Sequence, residues 1–102
     1  MRWCIQTILE RFPQCRVFVL LPLQTARSEH NAKTREQLGV MSRICEGMSV
    51  QVINCFANCG ITAVFENEGA EGRYLIDGLH PKDNGRELQG AYVAKEIRNN
   101  YF

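Results

Sequence analysis

Arg16-Val17-Phe18-Val19-Leu20-Leu21-Pro22 is the stretch on which the fold turns. Its apolar residues are continuous rather than alternating, it is rich in strand-forming types, and proline closes it. That pattern suits a short strand buried on both faces, the kind found in parallel sheets. Upstream, Ile5, Ile8, Leu9 and Phe12 fall at helical spacing over Trp3 to Phe12, and Pro13 disfavours helical geometry at the residue before it. Downstream, Gln24 to Lys33 is polar and reads as a loop at the carboxyl end of the strand.

A second helix is expected over Thr34 to Met48, with Leu38, Met41, Cys45 and Met48 on one face and Thr34 and Gln37 at capping-box spacing. Val50-Gln51-Val52-Ile53-Asn54-Cys55-Phe56 is the second strand, and residues 66 to 73 have the glycine and acidic content of an exposed loop. A last helix starts beside Pro81, capped by Asp83 or Asn84, and turns Leu88, Ala91, Tyr92 and Ile97 inward. The order helix, strand, helix, strand, helix implies an α/β layered fold with a parallel sheet. Two strands do not make a covered sheet, so a third is expected near Ile61 to Phe65 or from elsewhere.

The 102 residues suffice for one domain, and 45% hydrophobic content supplies a modest core. A net charge of +1, from 12 basic and 11 acidic side chains spread along the chain, creates no field for nucleic acid or anionic lipid. No apolar run approaches the roughly 20 residues needed to span a bilayer. Five cysteines (Cys4, Cys15, Cys45, Cys55 and Cys59) are an odd number at irregular spacing, which favours reduced thiols and a reducing, cytoplasmic compartment unless a signal lies upstream. Cys4, Cys15, Cys45 and Cys55 sit among apolar neighbours, and Cys59 at a strand end is open to oxidation. Cys55 and Cys59 with His30 and His80 lack the second close pair of a zinc site, so no metal is assigned.

Asp77-Gly78-Leu79-His80-Pro81 carries the chemistry. Acyl transfer needs an imidazole to take the nucleophile's proton and a carboxylate to hold that imidazole in the right tautomer. In a loop containing Gly78 the Asp77 carboxylate can fold back onto His80 Nδ1 while Nε2 faces outward. Asp-x-x-His alone is more often a loop ion pair at the head of a helix. Its setting, after two apolar strands and before Gly85 and a terminal helix, resembles the last block of the SGNH (GDSL-like) hydrolases, whose signature there is Asp-x-x-His-Pro. The similarity covers nearly the whole chain but only the second half of such a domain.

The resemblance implies a flavodoxin-like three-layer α/β/α sandwich that cleaves esters such as acylated sugars or lipids with no cofactor. It implies His80 as general base, then general acid, and Asp77 as its orienting partner. The family's nucleophile lies in a Gly-Asp-Ser segment, and nothing here matches it: Ser28, Ser42 and Ser49 stand in unrelated contexts. The expectation is therefore that the first half of the domain lies upstream of Met1 or on another chain along the open sheet edge, and that this chain alone is inactive. Ser28 as a relocated nucleophile, and Arg27, His30, Lys33 and Arg35 as a site for an anionic group, are alternatives that solvated surface explains as well. The competing class is a non-catalytic α/β interaction module that keeps the Asp-His loop as structure.

Overall fold

In the computed structural model, residues 1–101 are described, with side chains through Asn100. The helix before Pro13, α1, runs Arg2–Arg11 and buries Ile5, with Leu9 packed behind it. Ile8 and Phe12, expected on the same face, are exposed. The strand β1 is Phe18–Leu20 and β2 is Gln51–Ile53; they pair in parallel with Val19 opposite Val52. Leu21 extends the pairing by donating its N–H to the Ile53 carbonyl at 3.0 Å.

Between them α2 spans Ser28–Gly47, six residues longer at its start than the apolar periodicity predicts. Thr34 and Gln37 lie inside this helix and cap nothing. Its carboxyl end is a Schellman turn. The Val50 N–H donates to the Cys45 carbonyl at 2.8 Å and the Ser49 N–H to the Glu46 carbonyl at 3.2 Å. Val50 and Cys45 also meet as buried side chains, the contact that usually accompanies this turn. The left-handed position falls on Ser49, at φ 56°.

After β2, Asn54 caps the four-residue helix α3 (Cys55–Asn58) by accepting the Ala57 N–H at 3.0 Å. Residues Ala63–Phe65 form a 3₁₀ turn, so the third strand expected near Ile61 to Phe65 is absent. Ile61 is nevertheless buried, in a cluster with Ile53, Cys55, Cys59 and Leu75. The last helix, α4, is Asp83–Tyr101 and brings Leu88, Tyr92, Val93 and Ile97 onto that cluster, while Ala91 is exposed.

The flavodoxin-like three-layer α/β/α sandwich with its parallel sheet is not what forms. The described residues are mostly helical around a two-stranded sheet, and no three-layer arrangement exists among them. The reason is the shortness of the ladder. Each strand contributes three residues, α2 and α4 both pack on β2, and β1 is left half-exposed, with Leu20 at 45%. Arg16–Leu21 is thus not a strand buried on both faces. No described segment hydrogen-bonds to the outer edge of β1.

The molecule is elongated, with principal extents of 44 × 27 × 18 Å. The radius of gyration is 15.0 Å, against about 13 Å for a compact chain of this length. The accessible surface is 6906 Å², roughly 1,000 Å² above the expectation for 11.7 kDa.

Candidate active site

Tyr74 to Lys82 folds back on itself just before α4. Leu75 bridges Pro81 in antiparallel fashion, the Ile76 N–H donates to the His80 carbonyl at 2.8 Å, and the Lys82 N–H donates to the Tyr74 carbonyl at 2.9 Å. Asp77, Gly78 and Leu79 form the tip. Gly78 takes φ +84°, a left-handed backbone that permits the reversal.

This turn sets the two side chains. Asp77 Oδ1 accepts the backbone N–H groups of Leu79 at 2.9 Å and His80 at 2.8 Å, and Asp77 Oδ2 lies 2.8 Å from His80 Nδ1. The His80 backbone N–H, then its ring, then the Leu79 N–H hold the Asp77 carboxyl down at about 2. An ionised carboxylate only accepts hydrogen bonds, so the ring hydrogen sits on Nδ1 and the lone pair on Nε2. Nε2 has no hydrogen-bond partner among the described residues, and the His80 side chain is 69% exposed. The arrangement can orient an imidazole and stabilise its cation, and it leaves one basic nitrogen facing water.

The tip is anchored from three directions. The Gly69 N–H donates to the Asp77 carbonyl at 2.9 Å, and the Ala26 N–H, from the loop leaving β1, donates to the Gly78 carbonyl at 2.8 Å. Behind the turn, Glu66 is buried and its carboxylate accepts the N–H groups of Tyr74, at 3.1 and 3.2 Å, and Leu75, at 2.9 Å. Glu66 had been expected on an exposed loop. A Glu-Asn-Glu run has no apolar signal to suggest otherwise, and only the backbone of Tyr74 and Leu75 gives this carboxylate its partners.

Other sequence-derived candidates do not join the pair. Ser28 lines a small polar cavity of about 120 Å³ with Arg27, Glu29, His30 and Glu68, and His80 is not part of it. Neither Ser28, Ser42 nor Ser49 hydrogen-bonds to His80. In the basic stretch Arg27 pairs with Glu68 at 3.4 Å, and Arg35 lies over the Phe56 ring at 5.6 Å.

Cys55 and Cys59 are buried in the core, Cys59 included, so it is not the surface thiol expected, whereas Cys4 and Cys15 are exposed rather than packed. Burial pushes the Cys45 thiol up, and burial with Cys59 nearby does the same to Cys55, against a hydrogen bond from Gln89. Among the described residues, no three His, Cys, Asp or Glu side chains gather as a metal site, and no helix is long and apolar enough to cross a membrane. No family model, curated protein or solved structure matches the chain.

Proposed function

We propose that this chain supplies the acid and base end of an ester-hydrolysing Ser-His-Asp site whose serine comes from outside the chain. The observation carrying this reading is the 2.8 Å contact between Asp77 Oδ2 and His80 Nδ1, with Nε2 unpartnered. In the reaction, Nε2 takes the proton of the serine hydroxyl as its oxygen attacks the acyl carbonyl. The imidazolium then returns that proton to the departing alcohol, and the same nitrogen activates water for the second half. Asp77 stays ionised throughout, in keeping with its low pKa. The likeness of Asp77-Gly78-Leu79-His80-Pro81 to the SGNH signature adds the substrate class, an acylated sugar or lipid.

The free edge of β1 is the place we assign to the nucleophile-bearing segment. The loop leaving β1 is the one that touches Gly78, so the carboxyl end of β1 leads toward the Asp77–His80 loop. Such a segment would also exclude water from an imidazole that is open to solvent in this chain, and preorganised charges act more strongly in a dry site. The free edge taken alone also suits a non-catalytic module that pairs with a partner strand.

Purifying the chain from its own cells through a tag, followed by fluorophosphonate labelling, separates these readings. A labelled serine on a co-purifying segment that disappears with His80→Ala is expected. Labelling indifferent to His80→Ala, or no labelled serine at all, would overturn the catalytic reading, and labelling on this chain itself that His80→Ala abolishes would overturn the external origin of the serine.

A further inference from the structure

The first turn of α2 contains one fully enclosed side chain, and it is polar: Asn31, at 4% exposure. Both ends of its amide are used on one residue of the loop after β1. Oδ1 accepts the Thr25 N–H at 2.9 Å, and Nδ2 donates to the Thr25 carbonyl at 2.7 Å. A side chain that satisfies the donor and the acceptor of a single backbone residue mimics a strand partner and fixes that residue's orientation. The residue so fixed is followed by Ala26, whose N–H donates to the Gly78 carbonyl at 2.8 Å.

Gln24, on the other side of Thr25, adds a second tether. Its Nε2 donates to the Phe56 carbonyl at 2.9 Å and its Oε1 accepts the Ala63 N–H at 3.2 Å. The loop is therefore pinned at two adjacent residues, and the next backbone donor along it lands on the glycine between the acid and the base.

We infer that Asn31 is a positioning residue for the Asp77–His80 pair, acting through Thr25 and Ala26 on the Gly78 carbonyl. Its meaning for catalysis rests on the acyl-transfer reading, but its physical content does not. Asp77 can accept both the Leu79 and His80 N–H groups only while the tip keeps its left-handed turn at Gly78, and the Ala26 N–H is what holds that carbonyl. Without the Asn31 clamp, the Thr25 N–H and carbonyl lose their partners, and Ala26 is held less firmly against the tip. The carboxylate then spends part of its time off the ring, and the hydrogen on Nδ1 is no longer fixed.

Ring ¹⁵N spectra of His80 and hydrogen exchange at the Ala26 amide, on the full chain, test this. In Asn31→Ala the fraction of Nδ1–H tautomer falls and Ala26 exchanges about tenfold faster or more, as loss of one or two net hydrogen bonds implies. Asn31→Asp keeps an acceptor for the Thr25 N–H and loses the donor to its carbonyl, so it falls between. Ile5→Val, in the cluster beneath α1, lowers the melting temperature and leaves the tautomer unchanged.

A folded Asn31→Ala or Asn31→Asp protein with wild-type His80 tautomer would refute the inference. So would unfolding of both variants, which would assign Asn31 to the fold as a whole. Neither readout uses ester cleavage, so failure of the labelling experiment and failure of this one are separate results.

Discussion

Replacing Gly78 by alanine concentrates the strain of the whole tip on one methyl group. The residue sits at φ +84°, and a Cβ there would overlap the Asn67 carbonyl oxygen and come within 3.0 Å of the Ala26 methyl carbon. The left-handed backbone alone costs an alanine about 1–2 kcal/mol. Relieving the overlap needs roughly 1 Å of movement between two backbone segments. That movement breaks the bond from the Ala26 N–H to the Gly78 carbonyl, for about 1 kcal/mol more.

The total is about 2–3 kcal/mol, a large share of the stability of a chain this size. It lowers the melting temperature by roughly 10–20 °C. Thermal unfolding followed by circular dichroism measures it. Gly39→Ala and Gly90→Ala serve as controls, because a Cβ at either meets nothing within 4 Å, and each should gain about 0.5–1 kcal/mol of helix stability. A Gly78→Ala protein melting within about 2 °C of wild type would refute the view that the tip is held in a left-handed turn against Asn67.

Ser49→Gly should stabilise the chain by up to about 1 kcal/mol, because the residue occupies the left-handed position of the α2 terminus; an unchanged or lower denaturant midpoint would count against it. The Leu79 and His80 amide resonances should titrate with Asp77 at a midpoint of about 2. Because that carboxyl is depressed in the folded chain from 3.8, its contribution to stability is complete above the unfolded value and is lost as pH falls toward 2. A midpoint near 4 would mean that the turn does not persist in solution. Iodoacetamide should modify Cys4 and Cys15 in the native chain, and Cys45, Cys55 and Cys59 only after denaturation. Native alkylation of Cys55 as fast as Cys4 would show that the core opens readily.

Apolar periodicity located the helices around Ile5, around Cys45 and around Leu88, and the apolar runs located both strands, because in each case burial of side chains determines the element. The Asp77 and His80 partnership is readable because both lie in one short loop, three positions apart. The failures share another cause. The start of α2 at Ser28 is not legible in the sequence, because the buried residue of its first turn is Asn31, which binds backbone and leaves no apolar mark. Glu66 was hidden in the same way. The sheet was overestimated because an apolar run reports only that side chains avoid water. Ile61 does so on a cluster with Leu75 without entering a strand, and β1 keeps an edge that no described segment covers.

Between Asp77 and His80 stand only Gly78 and Leu79, so their meeting closes a very short loop, a step with little entropic cost that takes well under a microsecond in an unfolded chain. The contact between Ala26 and Gly78, in contrast, joins the first third of the chain to the last and must wait for α2 and β2 to be in place. During refolding, the imidazole should meet its carboxylate transiently at once, and a fixed Nδ1–H tautomer should appear only as the Ala26 amide becomes shielded. A fixed tautomer well ahead of Ala26 protection after dilution from denaturant would contradict that order. The two side chains are thus neighbours from the start, and the long-range contacts decide how constantly they stay paired.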